Sequence, residues 1–439
     1  MKYFLVSILI TLLLMPSTLV YSNKIDIEDT AKGFISLLVQ ERFTEASKVF
    51  TEELTKALPE NTLASIWKSL ITTLGKFNSI LDIKTTEIQV YKVVIVTCDF
   101  ELGSLGIQIT FDRESKIAGL YFLQPQFKAT YRLPSYVDPD SYVEVELTIE
   151  SHSYKLPATL TLPRIDKPYP IVVLVHGSGP HDRDETIGPN KPFKDIALGL
   201  ASRGVAVLRY EKRTKQYGDK ALIEGFTVNE ETIEDAISAI SLIYQRDDID
   251  KDRIFLLGHS LGGMLAPRIV ESTDRLKGII ILAGAINDLL ELILKQARYL
   301  ADLDGSISEE EKKQIEDIER QINLIRSGKI EKNEFILGAP CSYWLDLMNY
   351  KPLEILKSID IPALILHGDR DFQVPIEDFY LWKEELKDKN QISFKLYKGL
   401  NHLFIFGEGK STMEEYYKPG NVSQEVIEDI ATWILSIQP

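Results

Sequence analysis

Short apolar segments that alternate with helical patterns are the feature that most constrains the fold of this chain. Beyond residue 127, a predicted hairpin precedes six further strand-like segments: Tyr142–Ile149 and Lys155–Leu162, then Ile171–Val175, Val205–Tyr210, Ile254–Leu257, Gly278–Leu282, Ala363–Leu366 and Ile392–Tyr397. Strands that are apolar throughout are typical of a parallel sheet covered by helices on both faces. The sequence therefore predicts an α/β domain with an eight-stranded, mostly parallel sheet, whose functional residues lie at the carboxyl ends of the strands.

The segment Gly258-His259-Ser260-Leu261-Gly262 joins one predicted strand to a helical pattern that starts at Leu261. Glycines on either side of such a serine permit a tight strand-to-helix turn, and the helix N-terminus directs N–H groups toward it. Glycine and serine also form ordinary turns, so the pattern alone is weak. It indicates a nucleophile only if the chain also supplies a base to remove the hydroxyl proton and a carboxylate to orient that base.

Elimination among the six histidines identifies His402 as the candidate base. It follows the last predicted strand, in Gly399-Leu400-Asn401-His402, where a loop would face the serine. The other five are placed less well: His152 lies in the hairpin, His176 and His181 precede the serine, His259 adjoins it, and His367 precedes the candidate acid. We therefore expect His402 to remove the proton from Ser260.

Two aspartates compete for the role of the orienting acid. Both follow the predicted strand Ala363–Leu366, in His367-Gly368-Asp369-Arg370-Asp371. Asp371 lies deeper in the loop, where it can turn toward His402, so it is the expected acid. Asp369 is expected to pair with Arg370 or to cap the turn.

The tetrahedral intermediate of such a reaction carries an oxyanion, which needs N–H donors already in place. Leu261, the residue after the serine, offers one donor. A second is expected from Ser178 or Gly177 in His176-Gly177-Ser178-Gly179-Pro180, where small residues allow the backbone to approach a substrate closely.

Two polar clusters near these loops are expected to be structural. The first cluster consists of His181, Asp182, Asp184 and Glu185. It could suggest a metal site, but four polar residues in one loop usually form local hydrogen bonds. The second cluster, Glu211, Lys212 and Arg213, is expected to form an ion-pair network rather than to contact substrate. The sequence thus predicts no metal and no cofactor.

Two other parts of the chain have a different character from the predicted sheet. Residues 23–126 read as helices within Ile27–Thr51 and Leu63–Leu74, followed by antiparallel strands, which predicts an α+β domain separate from 127–439. Residues about 287–355 form a connection too long for an ordinary loop and are expected to cap the active site. Tyr343, Trp344 and Tyr350 in this cap either line an acyl pocket or pack the cap onto the core.

Composition and the first residues bear on partners and location. The net charge of −15 argues against nucleic acid or an anionic membrane as a partner. Met1–Ser22 has Lys2, a short apolar core and a break at Pro16, as expected of a cleaved secretory signal peptide rather than a retained anchor; no other segment could span a bilayer. We expect a secreted or periplasmic protein. Cys98 and Cys341 are expected to be buried thiols rather than a disulfide.

Taken together, residues 127–439 resemble a serine α/β-hydrolase. The motifs that carry the resemblance are Gly-His-Ser-Leu-Gly-Gly (258–263), His-Gly-Ser-Gly-Pro (176–180), His-Gly-Asp-Arg-Asp-Phe-Gln-Val-Pro (367–375) and Asn-His (401–402). More narrowly, 176–193 and 204–215 resemble bacterial secreted esterases of a type found in thermophiles, whose N-terminal domain is similar to the DUF3887 family with a nuclear-transport-factor-2-like (NTF2-like) fold. The resemblance implies hydrolysis of short-chain acyl esters, with Ser260, Asp371 and His402 as the triad.

Other functions stay open at this point. A peptidase or acyltransferase could use the same fold, although the acidic pairs Glu230-Glu231 and Glu384-Glu385 are expected on helix surfaces rather than at an amine-binding site. Alternatively, the N-terminal domain could bind a ligand or a cell-wall component as the main function.

Overall fold

A computed structural model describes residues 26–88, 91–123 and 125–438. The chain divides into two compact units between Thr130 and Tyr131, and each has its own hydrophobic core. Within the described ranges, no helix is long and apolar enough to cross a membrane. The expected signal peptide, Met1–Ser22, lies outside the described residues.

The first unit is an α+β domain, as the sequence predicts. Its sheet runs in the order β1-β2-β3-β4, all antiparallel, with β5 paired to β3. Along β3 every second residue is buried, which places one face of the sheet against the helices. The likeness to an NTF2-like fold stays a prediction. The elements are α1 (Ile27–Val39), α2 (Phe43–Ser47), α3 (Glu52–Ala57), α4 (Glu60–Leu74), β1 (Phe77–Ile88), β2 (Tyr91–Phe100), β3 (Gly103–Phe111), β4 (Ile117–Phe122) and β5 (Gln126–Phe127).

The second unit is an α/β-hydrolase fold. Its main strands are β6 (Tyr142–Ser151), β7 (Tyr154–Pro163), β8 (Tyr169–Val175), β9 (Ala206–Tyr210), β10 (Ile249–His259), β11 (Gly278–Leu282), β14 (Ala363–Gly368) and β15 (Ile392–Tyr397), and a two-residue pair is formed by β12 (Phe335–Ile336) and β13 (Ala339–Pro340). Its helices are α5 (Pro192–Ala201), α6 (Arg213–Tyr217), α7 (Glu234–Tyr244), α8 (Leu261–Glu271), α9 (Leu289–Ala301), α10 (Glu309–Ser327), α11 (Cys341–Asn349), α12 (Pro352–Ser358), α13 (Ile376–Glu385) and α14 (Gln424–Ser436). Short helical turns occupy Gly218–Ala221, Asn229–Ile233 and Met413–Tyr417.

The eight main strands form one sheet in the order β15-β14-β11-β10-β8-β9-β7-β6. The first six are parallel, whereas β7 runs antiparallel to β9 and to β6. The prediction of an eight-stranded, mostly parallel sheet is therefore confirmed. In β8, Ile171, Val173 and Val175 belong to the core on one face, and Val172 and Leu174 to the core on the other. Burial on both faces explains why this strand is apolar throughout.

The parallel register brings four loops to one edge of the sheet. Gly258 near the end of β10 pairs with Val175, the last residue of β8, and His259 pairs with Leu282 at the end of β11. The ends of β14 and β15 follow at the same edge, where Gly368 pairs with Tyr397. The loops after β8, β10, β14 and β15 are the four in which the sequence places its candidate site residues.

The connection between β11 and β14 consists of helices α9 to α12 and the short β12–β13 pair. Helix α10 begins with a capping box between Ser308 and Glu311. Helix α9 contacts the loop after β14, because Gln296 Nε2 donates to the carbonyl of Gln373 at 2.7 Å and the Tyr299 ring stacks on Phe372 at 5.1 Å between centroids. This long connection therefore lies against the loop that carries Asp371.

Three aromatic residues of this connection, Tyr343, Trp344 and Tyr350, are packed into the core. The hydroxyl of Tyr350 donates to the carbonyl of Met264 in α8 at 2.7 Å, and Trp344 Nε1 donates to the carbonyl of Ile336 at 2.7 Å. Tyr343 donates to Glu231 at 2.7 Å. All three rings are buried, so their contacts correspond to the alternative in which these residues pack onto the core. Cys98 and Cys341 are both free and buried.

Candidate active site

Ser260 sits at a strained turn between β10 and α8. Its φ of 54° and ψ of −116° lie in a region that residues other than glycine rarely adopt. The backbone is held on both sides: its N–H donates to the carbonyl of Leu282 at 2.9 Å, and its own carbonyl accepts from the N–H of Met264 at 2.9 Å. A strained residue persists only where its surroundings fix it in this way, and such residues cluster at functional sites.

Close backbone packing explains the two glycines of the turn. A Cβ atom at Gly258 would fall well inside contact distance of the Gly262 carbonyl, and one at Gly262 would lie 2.7 Å from the carbonyl oxygen of His176 and nearer still to that of Val175. Any side chain at either position would push α8 away from the strands. The Gly-x-Ser-x-Gly pattern is therefore the condition for the helix to start directly behind the serine.

His402 and Asp371 form a buried hydrogen-bonded pair. Nδ1 of His402 donates to Oδ2 of Asp371 at 2.7 Å, and the other carboxylate oxygen accepts the N–H groups of Gln373 and Val374 at 2.8 and 2.9 Å. Burial alone would raise the pKa of Asp371, but the neighbouring His402 outweighs it, and the pKa lies below its usual value. The carboxylate therefore stays ionised and holds the proton of His402 on Nδ1, which leaves Nε2 free as a base.

The structure distinguishes the two competing aspartates. Oδ1 of Asp369 accepts the N–H of Gly399 at 2.7 Å, so Asp369 caps the neighbouring loop. Arg370 pairs with Glu415 and not with Asp369. Asp371 is the aspartate that contacts His402.

Ser260 is linked to the His402–Asp371 pair through His259, the residue that precedes it in the chain. Nε2 of His259 donates to the carbonyl of His402 at 2.9 Å, and the two imidazole rings lie 4.7 Å apart. The hydroxyl of Ser260 itself makes no hydrogen bond within the described ranges, to His402 or to any other residue. Such contacts often form only when substrate is bound. Burial lowers the pKa of His402, and this favours the neutral form that can accept a proton.

The candidate oxyanion donors are only partly free. Leu261 is the first residue of α8, where backbone N–H groups have no partner within the helix. The N–H of Gly177, however, donates to Oε1 of Glu185 at 2.8 Å, so it is already used and cannot serve as the second donor. The N–H of Ser178 is the remaining candidate for the second oxyanion donor. The carbonyl of Ser178 accepts a hydrogen bond from Nε2 of His181 at 2.8 Å, which fixes the loop.

Glu185 and His259 belong to the site, although no role there is predicted for them from the sequence. Oε2 of Glu185 accepts from Nδ1 of His259 at 2.9 Å, and both side chains are almost completely buried. From the sequence, Glu185 is one of several polar loop residues expected to form local hydrogen bonds, and His259 stands out only as the neighbour of the serine. No periodicity distinguishes Glu185 from its neighbours, and only the three-dimensional pairing shows its burial.

The other polar clusters make contacts within the protein. Asp182 accepts the N–H groups of Asp184 and Thr186 at 3.2 and 2.9 Å, which confirms local hydrogen bonding in that loop. Asp184 pairs with Lys191 and Arg209. The described ranges contain no group of three or more histidine, cysteine or acidic side chains that could hold a metal ion.

The predicted ion-pair network after β9 is confirmed, and it reaches the site. Lys212 is buried, and its Nζ donates to the carbonyl of Gly177 at 2.9 Å and pairs with Glu231 at 3.2 Å. The expectation that Glu231 lies on a helix surface is wrong: its side chain is buried, paired with Lys212 and hydrogen-bonded by the hydroxyl of Tyr343. The network also contains the pairs of Glu211 with Arg183 and of Arg213 with Asp235, while Glu384 and Glu385 are exposed as expected.

Comparison with known families fits this geometry. The family model described as "Serine aminopeptidase, S33" matches residues 166–409, more than half of the chain. The chain belongs to this S33 family. The first unit of this S33 protein matches the model "Protein of unknown function (DUF3887)" over residues 31–120.

Individual relatives span most of the S33 protein. It is 40% identical over 402 residues to Esterase EstD of Thermotoga maritima, which covers 92% of this chain and 94% of EstD. It is 24% identical over 251 residues to the uncharacterized peptidase YtmA of Bacillus subtilis, covering 57% and 79%. Among solved structures, Est1E from Butyrivibrio proteoclasticus is 18% identical, covers 66% of this chain and 99% of its own, and has a TM-score of 0.44.

Proposed function

We propose that this protein is a carboxylesterase that hydrolyses short-chain acyl esters through an acyl-enzyme on Ser260. The observation that carries the proposal is the buried His402–Asp371 hydrogen bond at the sheet edge where Ser260 occupies its strained turn. The similarity to Esterase EstD along 92% of the chain supports an ester rather than a peptide as the substrate.

In the first half of the reaction, Oγ of Ser260 attacks the ester carbonyl while Nε2 of His402 accepts the hydroxyl proton. Asp371 holds the imidazole through Nδ1 and stabilises the imidazolium without taking its proton. The N–H groups of Leu261 and Ser178 stabilise the oxyanion. His402 then protonates the leaving alcohol, and the acyl group stays on Ser260.

In the second half, water takes the place of the alcohol. His402 accepts a proton from the water as it attacks the acyl-enzyme, the same two N–H groups stabilise the second oxyanion, and Ser260 leaves with the proton returned by His402. The products are the carboxylic acid and the free enzyme. Every proton in this sequence is handled by residues of the chain itself.

Replacement of the nucleophile tests the proposal. Ser260→Ala is expected to lower kcat for p-nitrophenyl acetate on the order of 10³-fold or more, because the acyl-enzyme cannot form. Ser178→Ala is the matched control, since it keeps the backbone N–H and should retain most activity. Full esterase activity in Ser260→Ala would refute the assignment.

A peptidase is the second candidate, because the family model is described as a serine aminopeptidase. An aminopeptidase needs a carboxylate to bind the free amine of its substrate, and Glu231 is already paired with Lys212 and Tyr343. Rates on p-nitrophenyl esters and on aminoacyl p-nitroanilides of matched side chains separate the two. Faster cleavage of the anilides would favour the peptidase. An acyltransferase would instead transfer the acyl group to an added alcohol in preference to water.

We also propose that the protein acts outside the cytoplasm after removal of Met1–Ser22, on the sequence of that segment alone. Expression of the full chain in a bacterial host, followed by N-terminal sequencing of the exported fraction, is expected to give a mature protein that begins at Asn23. Retention of Met1 in an exclusively cytoplasmic protein would contradict this.

A further inference from the structure

A single buried pair, Glu185 and His259, contacts three of the four loops that carry the proposed chemistry. Oε1 of Glu185 accepts the N–H of Gly177 in the loop after β8 at 2.8 Å, and Oε2 accepts from Nδ1 of His259 at 2.9 Å. His259 directly precedes Ser260. Its Nε2 donates to the carbonyl of His402 at 2.9 Å. The pair therefore links the loop of the oxyanion donor, the nucleophile turn and the loop of the base.

The partners of His259 determine its protonation. A backbone carbonyl can only accept a hydrogen bond, so Nε2 must carry a proton. Nδ1 faces a carboxyl group, and the ordinary pKa of a glutamate, about 4.3, lies roughly two units below that of an imidazole, so the shared proton belongs on the ring. With both nitrogens protonated, His259 is an imidazolium ion paired with an ionised Glu185.

The electrostatics of the pair agree with this protonation. Burial alone would raise the pKa of Glu185, but the adjacent His259 outweighs it and lowers that pKa to about 2. Burial alone would lower the pKa of His259, but Glu185 outweighs it and raises that pKa above its usual value. His181, His176 and Lys212 also face this region: the two histidine rings favour the ionised Glu185, and Lys212 lies near His176 and His181.

The cation lies beside the candidate base. The ring centroids of His259 and His402 are 4.7 Å apart, and a positive charge at that distance disfavours a second positive charge on His402. Two carboxylates oppose this effect: Asp371, which contacts His402 directly, and the more distant Glu185. The net result is a His402 that stays neutral to lower pH than it would beside an uncharged neighbour.

We propose that the Glu185–His259 ion pair is a positioning device of this active site, which fixes the loops of Gly177 and His402 around Ser260 and keeps the His402 ring neutral in the resting enzyme. This inference rests on the proposed function for its kinetic consequences. The protonation of His259, in contrast, is a property of the folded protein that can be measured without any turnover.

The kinetic test is the pH dependence of kcat/KM in His259→Gln. Glutamine is uncharged, so the pKa of His402 should rise and the acid limb of the profile should move to higher pH by on the order of one unit. The direction is the same whether Glu185 then stays ionised or takes up a proton, since the cation is lost in both cases. We also expect kcat to fall about tenfold or more with little change in KM, because the loop of His402 loses an anchor. His152→Gln, on the exposed β6–β7 hairpin, is the matched control and should leave the profile unchanged. A lower kcat with an unmoved acid limb would overturn the electrostatic role.

The structural test uses ¹⁵N-histidine NMR on Ser260→Ala, which needs no activity. Both ring nitrogens of His259 should show the protonated, imidazolium signature at pH 7, and Glu185→Gln should abolish it. The signal that disappears in His259→Gln assigns the resonance. A His259 ring with one unprotonated nitrogen at pH 7 would overturn the inference while leaving the esterase proposal intact. Conversely, full esterase activity in Ser260→Ala would refute the esterase proposal without changing this spectrum. If His259→Gln does not fold, the spectra of Ser260→Ala with and without Glu185→Gln decide the question.

Discussion

The substitution Asp371→Asn tests the role of the acid through the hydrogen bonds that surround it. Oδ1 of Asp371 accepts two backbone N–H groups, from Gln373 and Val374, and Oδ2 accepts from Nδ1 of His402. An asparagine at this position must place its amide oxygen where Oδ1 is, because those two donors require an acceptor. Its NH₂ group then faces Nδ1 of His402.

This arrangement forces His402 into the wrong tautomer. Nδ1 must accept from the asparagine, so the proton of the neutral ring moves to Nε2, the nitrogen that should take the proton from Ser260. The fold loses little, because the hydrogen bonds to Gln373 and Val374 persist. In serine hydrolases the same change lowers kcat about 10⁴-fold, and we expect a loss of about 10³- to 10⁴-fold here.

Steady-state hydrolysis of p-nitrophenyl acetate at pH 7 measures this loss, and thermal unfolding verifies that the variant folds. Asp369→Asn is the matched control, two residues away in the same loop, because Asp369 caps Gly399 and does not contact His402. It should keep activity within a few-fold. Activity of Asp371→Asn within tenfold of the parent, or equal losses in the two variants, would refute the assignment of Asp371 as the acid.

Further predictions concern the elbow, the base and the buried carboxylate. Gly262→Ala should destabilise the second unit by about 1–3 kcal/mol, because the new Cβ collides with backbone carbonyls at the end of β8 and just beyond it. Gly33→Ala in α1, where the space around the glycine is open, is the control and should be neutral or stabilising. Urea unfolding of both variants measures the difference. The acid limb of kcat/KM should lie below about pH 6.5, because burial lowers the pKa of His402 and activity is lost only as the pH falls through that pKa. An acid limb above pH 7 would contradict a neutral His402 in the resting enzyme. Because the pKa of Glu185 is lower in the folded protein than the ordinary value of about 4.3, its ionised form stabilises the fold above that pH, and this contribution is lost as the pH falls toward about 2. Glu185→Gln should therefore flatten the acid side of the curve of unfolding free energy against pH. An unchanged curve would contradict an ionised Glu185.

The fold could be predicted where burial determines the residue pattern. β15 has the bounds Ile392–Tyr397 that its sequence indicates, and β11 those of Gly278–Leu282. β10 is longer than its apolar part, because Ile249–Arg253 adds polar residues that pair only at Ile249 before the register shifts. The short helix α3 is not predicted, since six residues give too little periodicity to recognise.

The site could be predicted where chain order and turn geometry constrain it. Its depth in the loop favours Asp371 over Asp369, and the structure places Asp371 against His402. The buried charges could not be found in this way, because charged residues are ordinarily exposed unless paired and the pairing is tertiary. Glu185 meets His259 across 74 positions of the chain, and Glu231 meets Tyr343 across 112. The hydrogen bond from the N–H of Gly177 to Glu185 could not be predicted for the same reason, because the sequence does not show that Glu185 is buried.

The most direct measurement of the central claim is covalent labelling with a fluorophosphonate, followed by peptide mass spectrometry and an activity assay on the same sample. We expect one adduct per chain, on Ser260, and a loss of esterase activity in proportion to the labelled fraction. His402→Ala should slow the labelling strongly, because the hydroxyl is then not activated. Inactivation without an adduct on Ser260, or full activity in fully labelled protein, would contradict the account.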